Sequence, residues 1–197
     1  MCSRSWIADI ISTFANVGMS TLYDAISRGD SIGDIARVLD LGTDDINAVG
    51  GEYGTALGAA AYWGRVNVIS LLLDQGADIN VVGGSYGTAL GAAVFRERVN
   101  AISLLLNQGA DVNAVGGKFG TALGIAAYWG RVNVISLLLD WGADVNVVVS
   151  GEYGTALGAA AYWGGVDAIS LLLDRGADVS VVGGRFGTAL GAAAFLG

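Results

Sequence analysis

Short blocks of apolar residues, each closed by a glycine, recur along the chain. In the best-defined copy the block Ala56–Trp63 is apolar apart from one glycine. Thr55, directly before it, is a favourable helix N-cap, because its hydroxyl can accept a hydrogen bond from the first turn. Gly64, directly after it, suits the left-handed residue that often ends a helix. The pattern predicts a short first helix over Ala56–Trp63.

A second block follows after one intervening residue. Within Val66–Asp74, the large apolar residues Ile69, Leu72 and Leu73 stand at positions i, i+3 and i+4, which form one stripe on a helix. Gly76 ends this helix. Residues 77–84 then combine β-branched residues with a glycine pair, which favours an extended arm that turns back as a hairpin. The predicted unit is a helix, a turn, a second helix and a hairpin.

This unit is written several times. The phrase GTALG begins at Gly54, Gly87, Gly120, Gly154 and Gly187, at intervals of 33, 33, 34 and 33 residues. The one extra residue falls within residues 147–150, in the connection between helices. Because neither helix is long enough to be stable alone, each unit must bury its apolar stripe against its neighbours. The sequence therefore predicts an all-α repeat solenoid of paired antiparallel helices with β-hairpin loops.

The repeats divide the chain into four parts. Residues 1–17 suit an amphipathic helix, residues 18–50 a degenerate capping repeat with a more polar second helix, and residues 51–183 four full repeats. Residues 184–197 form a partial repeat without a C-terminal cap. We expect Ile169, Leu172 and Leu173 to lack part of their cover there, which favours fraying, end-to-end self-association through this end, or continuation of the array into residues outside this chain.

Charge and composition exclude several classes of function. Ten Lys and Arg against eighteen Asp and Glu give a net charge of −8, with the basic residues scattered singly, so nucleic acid is not an expected partner. No stretch reaches the roughly eighteen uninterrupted apolar residues of a membrane helix, so no membrane association is expected. The single cysteine, Cys2, suits a reducing compartment, and Asp9 interrupts any signal-peptide core. The chain is expected to be cytoplasmic.

The sequence offers no catalytic machinery. There is no histidine, which removes the commonest metal ligand and general base. The stretch GGKFGT at residues 116–121 lacks the Gly-Lys-Ser/Thr order of a phosphate-binding loop, and other units carry Glu, Ser or Arg in place of Lys118. Asp74 and Asp78 have no base, nucleophile or metal partner nearby. We expect no enzyme activity, no cofactor and no metal site.

The unit resembles the ankyrin repeat. The phrase Gly-Ala-Asp, followed by Ile or Val and then Asn or Ser, begins at Gly76, Gly109, Gly142 and Gly176 and is similar to that family's exit from the second helix. The chain departs from the family where Thr55-Ala56-Leu57-Gly58 and its copies stand for the usual Thr-Pro-Leu-His. It departs again at Gly83, which stands for an aspartate. The resemblance implies a protein-binding scaffold that presents hairpin tips and first helices on a concave face.

The repeats, with an aromatic residue before Gly-Thr, are also similar to the ankyrin-repeat arrays found in proteins of filamentous fungi. Those arrays often lie at the C-terminal end of nucleotide-binding immune receptors of the NACHT type. Two further hypotheses therefore accompany the scaffold: a ligand-sensing ankyrin segment of a longer receptor, and a structural spacer. Near-identity of the varying face would favour the spacer, and the sequence does not show it.

Three positions vary among otherwise similar repeats. Two residues before Gly-Thr stand Glu52, Ser85, Lys118, Glu152 and Arg185. At the end of the first helix stand Trp63, Arg96, Trp129, Trp163 and Leu196. Before the Gly-Ala-Asp glycine stand Gln75, Gln108, Trp141 and Arg175. In the family the first two positions lie on the concave side, so they are candidates for recognition; neutral drift at exposed sites is the alternative.

The chemistry of these positions favours recognition over drift, because Trp, Tyr and Arg dominate binding hot spots. Tyr62, Phe95, Tyr128 and Tyr162 adjoin the variable helix ends and form an aromatic ribbon with them. The residues predicted to bind the partner are Glu52, Tyr62, Trp63, Ser85, Phe95, Arg96, Lys118, Tyr128, Trp129, Glu152, Tyr162, Trp163 and Arg185. A second aromatic series, Tyr53, Tyr86, Phe119, Tyr153 and Phe186, is interpreted as a structural ladder between hairpins.

The altered helix start carries a stability expectation. Glycine inside a helix costs roughly 1 kcal/mol relative to alanine, and proline suits the first helical position. Ala56→Pro combined with Gly58→Ala is therefore predicted to raise the melting temperature.

Overall fold

The computed structural model of the protein describes residues 21–42 and 44–196 as a succession of helix pairs. The first helices of the pairs are α1 (Thr21–Arg28), α3 (Ala56–Trp63), α5 (Ala89–Phe95), α7 (Ala122–Tyr128), α9 (Ala156–Tyr162) and α11 (Ala189–Leu196). The second helices are α2 (Ile32–Asp40), α4 (Val66–Asp74), α6 (Val99–Asn107), α8 (Val132–Asp140) and α10 (Val166–Asp174). The predicted helix over residues 1–17 lies outside the described residues. We propose α1 and α2 as the helices of the capping repeat.

The helix α3 begins and ends where the sequence predicts, and α5, α7 and α9 are one residue shorter at their ends. In α3 the Thr55 hydroxyl accepts a hydrogen bond from the Gly58 N–H at 3.0 Å, and Gly64 adopts φ 69° at the end. The threonines before α5, α7 and α9 cap their helices in the same way. The second helices of the full repeats have no side-chain cap, so packing must hold their first turns.

The core lies between stacked helices. Each first helix from α1 to α9 packs on the second helix of its own unit, and successive first helices pack on one another. Ala59, Ala60 and Ala61 are fully buried, so small side chains line the closest approach of the stacked backbones. Ile69 and Leu72 of α4 are fully buried on the other side of the same core. This confirms the all-helical repeat solenoid.

The predicted β-hairpins are not resolved in the arms between units. No strand forms within the described residues, where only an isolated bridge joins Gly116 to Gly120. The arms are instead fastened sideways to one another, since the Oδ1 atoms of successive asparagines accept backbone N–H groups one unit further on. Asn47, Asn80, Asn113 and Asn146 accept from Asp78, Asp111, Asp144 and Asp178, all at 2.8 Å.

The last helix shows a changed environment for a repeated leucine. Leu57, Leu90, Leu123 and Leu157 are 1% to 4% exposed, whereas their counterpart Leu190 in α11 is 78% exposed. In the preceding α10 Ile169 is half-buried and Leu173 is 41% exposed, in line with expectation. Leu172 is fully buried, so the expectation that it would be uncovered is wrong. It faces the interior of its own unit, and the exposed apolar surface lies on α11.

Candidate functional site

The tips of the arms lie side by side, joined by backbone hydrogen bonds. The Ser85 N–H donates to the Glu52 carbonyl at 2.8 Å, and the Lys118 N–H donates to the Ser85 carbonyl at 2.9 Å. The Arg185 N–H donates to the Glu152 carbonyl at 2.9 Å. Four of these five residues have exposed side chains, and Glu152 is half-buried. The first predicted series therefore forms one row, called here the tip row.

The tip row is interrupted once, where the extra residue lies. In the second unit the Gly83 N–H donates to the Gly87 carbonyl four residues on, at 2.6 Å. In the fourth unit the matching bond runs from the Val149 N–H to the Gly154 carbonyl five residues on, at 2.8 Å. The wider turn removes the backbone bond between Lys118 and Glu152. The step from the third to the fourth unit is the one open step among the full repeats.

Two aromatic series interleave beside the tip row. Tyr53 lies 4.4 Å from Tyr62, centroid to centroid, and Tyr62 lies 5.5 Å from Tyr86. Tyr86 lies 4.4 Å from Phe95, and the alternation of tip ring and helix ring continues along the units. The remaining members are Phe119, Tyr128, Tyr153, Tyr162, Phe186 and Phe195. This continuous packing is called here the aromatic floor.

The floor unites two series that the sequence analysis kept apart. Tyr62, Phe95, Tyr128 and Tyr162, predicted to contact a partner, are half-buried within it. Tyr86 and Tyr153, interpreted as structural, are buried beside them at 7% and 8% exposure. The rings at the helix ends therefore pack against other rings of the protein and also remain partly exposed to solvent.

Three tryptophans stand on the floor. Trp63, Trp129 and Trp163 are 41%, 45% and 55% exposed. Each indole is nearly perpendicular to the tyrosine before it, with interplanar angles of 82°, 84° and 84°. We call these three side chains the indole row.

Three helix-end residues, Arg96, Trp129 and Trp163, also reach back over a ring of the preceding unit. Trp129 lies 5.7 Å from Phe95, and Trp163 lies 5.4 Å from Tyr128, both edge to face. In the second unit Arg96 replaces the tryptophan, and its guanidinium carbon lies 5.0 Å from the Tyr62 ring centroid. A cation and an indole therefore occupy equivalent places on this face.

The charges of the tip row also contact the floor. The Tyr86 hydroxyl donates to the Glu52 carboxylate at 3.0 Å. Burial, reinforced by this hydrogen bond, raises the pKa of the Tyr86 phenol. Arg185 pairs with Glu152 at 3.9 Å, and the Lys118 ammonium lies 5.7 Å from the Phe119 ring centroid. Burial also raises the pKa of Tyr153, which lies between Tyr128 and Glu152.

The comparison with family models decides the family. The model for ankyrin repeats matches in three copies, over residues 22–116, 83–149 and 116–183. The chain belongs to the ankyrin-repeat family. Ankyrin repeats are generally protein-interaction modules without enzymatic activity. No curated protein matches the chain.

The ankyrin stack holds a set of arginines that the sequence analysis did not single out. Arg98 donates from Nε to the Tyr62 carbonyl at 3.3 Å, across the boundary between units. Arg65 reaches the Ile26 carbonyl at 3.2 Å in the same way. In the third unit Arg131 instead pairs with Glu97 at 2.9 Å. The recurrence of arginine two residues after Trp63 and Trp129 was the signal for these contacts.

Glu97 itself departs from the repeat. It has φ 54°, the one positive φ among described residues other than glycine, where other units have Gly64, Gly130 and Gly164. Together with Trp63 and Arg98 it lines an open groove of about 310 Å³ between the first two full repeats. Glu97 could have been recognised in the sequence as a charged residue at a position where the other units have glycine.

Neither a metal-binding cluster nor a helix suited to span a membrane occurs in the part of the chain that the structure describes. It contains no cluster of three or more His, Cys, Asp or Glu able to hold a metal ion. None of its helices is both long and apolar enough to pass through a membrane.

Proposed function

We propose that the indole row and the tip row together form a face that binds a protein partner. The observation that carries this proposal is the exposure of Trp63, Trp129 and Trp163, between 41% and 55%, on a packed aromatic floor. In this family the hairpin tips and first helices form the concave side. The proposed contact residues are those predicted from the sequence, from Glu52 to Arg185.

The packed floor supports a recognition role. Hot-spot residues lose little conformational entropy on binding when neighbouring side chains already hold their rings. Trp129 contacts Phe95 and Tyr128, and Trp163 contacts Tyr128 and Tyr162, so two rings restrict each indole. A large apolar surface held in this way is suited to a protein interface.

The test is capture of partners from a lysate by the immobilised chain and by the variant Trp129→Ala with Trp163→Ala. Each substitution is expected to weaken binding by more than about 1 kcal/mol, or about fivefold, so partners captured by the wild type should be lost. Trp141→Ala is the matched control, since Trp141 is 43% exposed but ends a second helix. Circular dichroism should show an intact fold in all variants.

Two outcomes would contradict the proposal. Unfolding of the double variant would make the indoles core residues. Capture of the same proteins by the folded double variant would place binding elsewhere and favour the spacer. A sensing segment of a NACHT-type receptor would use the same face, and the surrounding gene would decide between it and a free-standing scaffold.

We also infer that the exposed face of α11 pairs with a second copy of the chain. Leu190 is 78% exposed there, while its four counterparts in earlier first helices are at most 4% exposed against a neighbouring unit. A second copy could pack against this face, as a neighbouring unit packs against the earlier first helices.

A further inference from the structure

We propose that the slot formed by Tyr128, Trp129 and Trp163 takes an arginine side chain of the partner. This central slot lies within the face proposed above, so the inference rests on that function and adds the chemistry of the bound residue.

The central slot has an aromatic floor and two aromatic walls. Trp129 lies 5.2 Å from Tyr128 at 84°, and Trp163 lies 5.4 Å from Tyr128 at 89°. Tyr128 is therefore flanked by two perpendicular indoles. No ring contact joins Trp129 to Trp163, and they are 45% and 55% exposed, so a group from solvent can reach both indoles beside Tyr128.

The protein itself shows which group such a site accepts. In the first full repeat Trp63 lies 5.2 Å from Tyr62 at 82°, nearly the same geometry as Trp129 on Tyr128. There the guanidinium of Arg96 lies 5.0 Å from the Tyr62 centroid and 5.9 Å from the Trp63 centroid. These distances are within the range of cation–π attraction. The same pair of rings thus already holds an arginine from the next unit.

The central slot lacks such a cation because Trp163 occupies the place of Arg96. No cation of the described residues lies over the Tyr128, Trp129 or Trp163 rings. A second indole instead adds another π surface, so a planar guanidinium from outside could contact three rings.

The surrounding charge favours a basic segment that approaches from one side. The net charge of −8 attracts cationic segments over distance. Locally, Glu152 adjoins Tyr153, whose ring lies 5.0 Å from Tyr128. Lys118 lies over Phe119, whose ring is 4.9 Å from Tyr128 on the other side, and it disfavours a second cation there. The arginine is expected to enter past Glu152.

The probe is the blocked peptide Ac-Gly-Gly-Arg-Gly-Gly-NH2, followed through the indole N–H resonances of the full chain. The resonances of Trp129 and Trp163 should shift on titration, while that of Trp141 should not. The same peptide with citrulline, which keeps the planar shape without the charge, should bind about two- to fivefold more weakly, since exposed cation–π contacts are worth about 0.5 to 1 kcal/mol.

Two variants sharpen the test. Trp163→Leu removes one wall and should reduce the response of Trp129 to the peptide. Arg96→Trp removes the internal cation from the first full repeat and builds a second slot of the same composition. Trp63 should then respond to the arginine peptide, whereas in the wild type, where Arg96 already lies over Tyr62 and Trp63, it should not.

Failure of this inference differs from failure of the proposed function. It is overturned if Trp129 and Trp163 do not respond, if citrulline binds as well as arginine, or if Trp141 responds equally. Each of these results leaves the lysate experiment intact, because loss of captured partners in the tryptophan variants would still establish the binding face.

Discussion

At the scale of single residues, the glycine at the third position of each first helix from α3 to α11 lies against a loop carbonyl. A Cβ atom at Gly124 would lie 2.6 Å from the Phe119 carbonyl oxygen, and one at Gly58 would lie even closer to that of Tyr53. Gly91, Gly158 and Gly191 meet the equivalent carbonyls. The neighbour is backbone, so it cannot move aside as a flexible side chain would.

Gly58→Ala is therefore expected to lower stability, by about 1 to 2 kcal/mol, because the overlap outweighs the gain in helix propensity. The geometry contradicts the sequence expectation for this substitution. Thermal unfolding should show a melting temperature lower by roughly 2 to 8 °C.

Ala56→Pro is the matched control for the same helix start. Thr55 has φ −125° and ψ 170°, which suit the residue before proline, so this variant should melt at or above the wild-type temperature. A rise in melting temperature for Gly58→Ala would show that the loop moves freely.

Tyr86 links stability to pH. Burial and the Glu52 hydrogen bond raise its pKa above the ordinary value of 10.0, so the folded chain keeps a proton that the unfolded chain loses. The contribution of Tyr86 to the free energy of unfolding is fully present below pH 10 and falls as the pH rises above 10. Denaturant unfolding between pH 9 and 12 should show a decreasing free energy of unfolding.

Tyr86→Phe tests this assignment. Above pH 10 the free energy of unfolding of the variant should fall less steeply than that of the wild type, because one titrating group is gone. The difference in slope should be up to about 1.4 kcal/mol per pH unit. It should be slightly less stable than the wild type at neutral pH, where the hydrogen bond to Glu52 is missing. An unchanged pH slope would assign the dependence to other tyrosines.

At the scale of elements, the helices were predictable and the arms were not. Ala56–Trp63 and Val66–Asp74 were predicted with their observed bounds, because threonine caps and glycine ends are local signals. The arms pair sideways with other units, through contacts such as Asn80 with Asp111, which no local pattern encodes. The positions of the tryptophans at the helix ends could also be predicted from local sequence. The interleaving of Tyr62 with Tyr53 and Tyr86 could not, because it depends on the register between units.

The open step of the tip row gives a prediction about one element. Deleting Val149 together with Ser150→Gly would restore the glycine pair of the other arms. The Glu152 N–H should then donate to the Lys118 carbonyl, as Ser85 does to Glu52. One such bond is worth about 0.5 to 1.5 kcal/mol, so stability should rise by that order.

Hydrogen exchange at the Glu152 amide measures this directly. Exchange should slow in the shortened variant, while the Ser85 amide, already bonded, should exchange at its wild-type rate. A Glu152 amide that exchanges as fast as before would mean that the units do not close on each other when the extra residue is removed.

At the scale of the whole molecule, each unit is stabilised mainly by its neighbours. The main contacts of the first helices of the full repeats are with adjacent units and with their own second helix, so the free energy is close to a sum of unit and interface terms. A unit that lacks one interface is correspondingly weaker. In this chain the exposed first helix is α11, where Leu190 and Phe195 are 78% and 57% exposed.

Association of two copies through α11 would bury this surface, and Leu190→Gln should prevent it. Burying a leucine is worth about 1.5 to 3 kcal/mol, so its loss should weaken a dimer at least about tenfold. Sedimentation velocity over a range of concentrations measures the change. Val115→Gln is the control, since Val115 is 53% exposed on an arm in the middle of the array. A wild-type chain that stays monomeric at high concentration, or a Leu190→Gln variant that associates equally, would rule out pairing through this face.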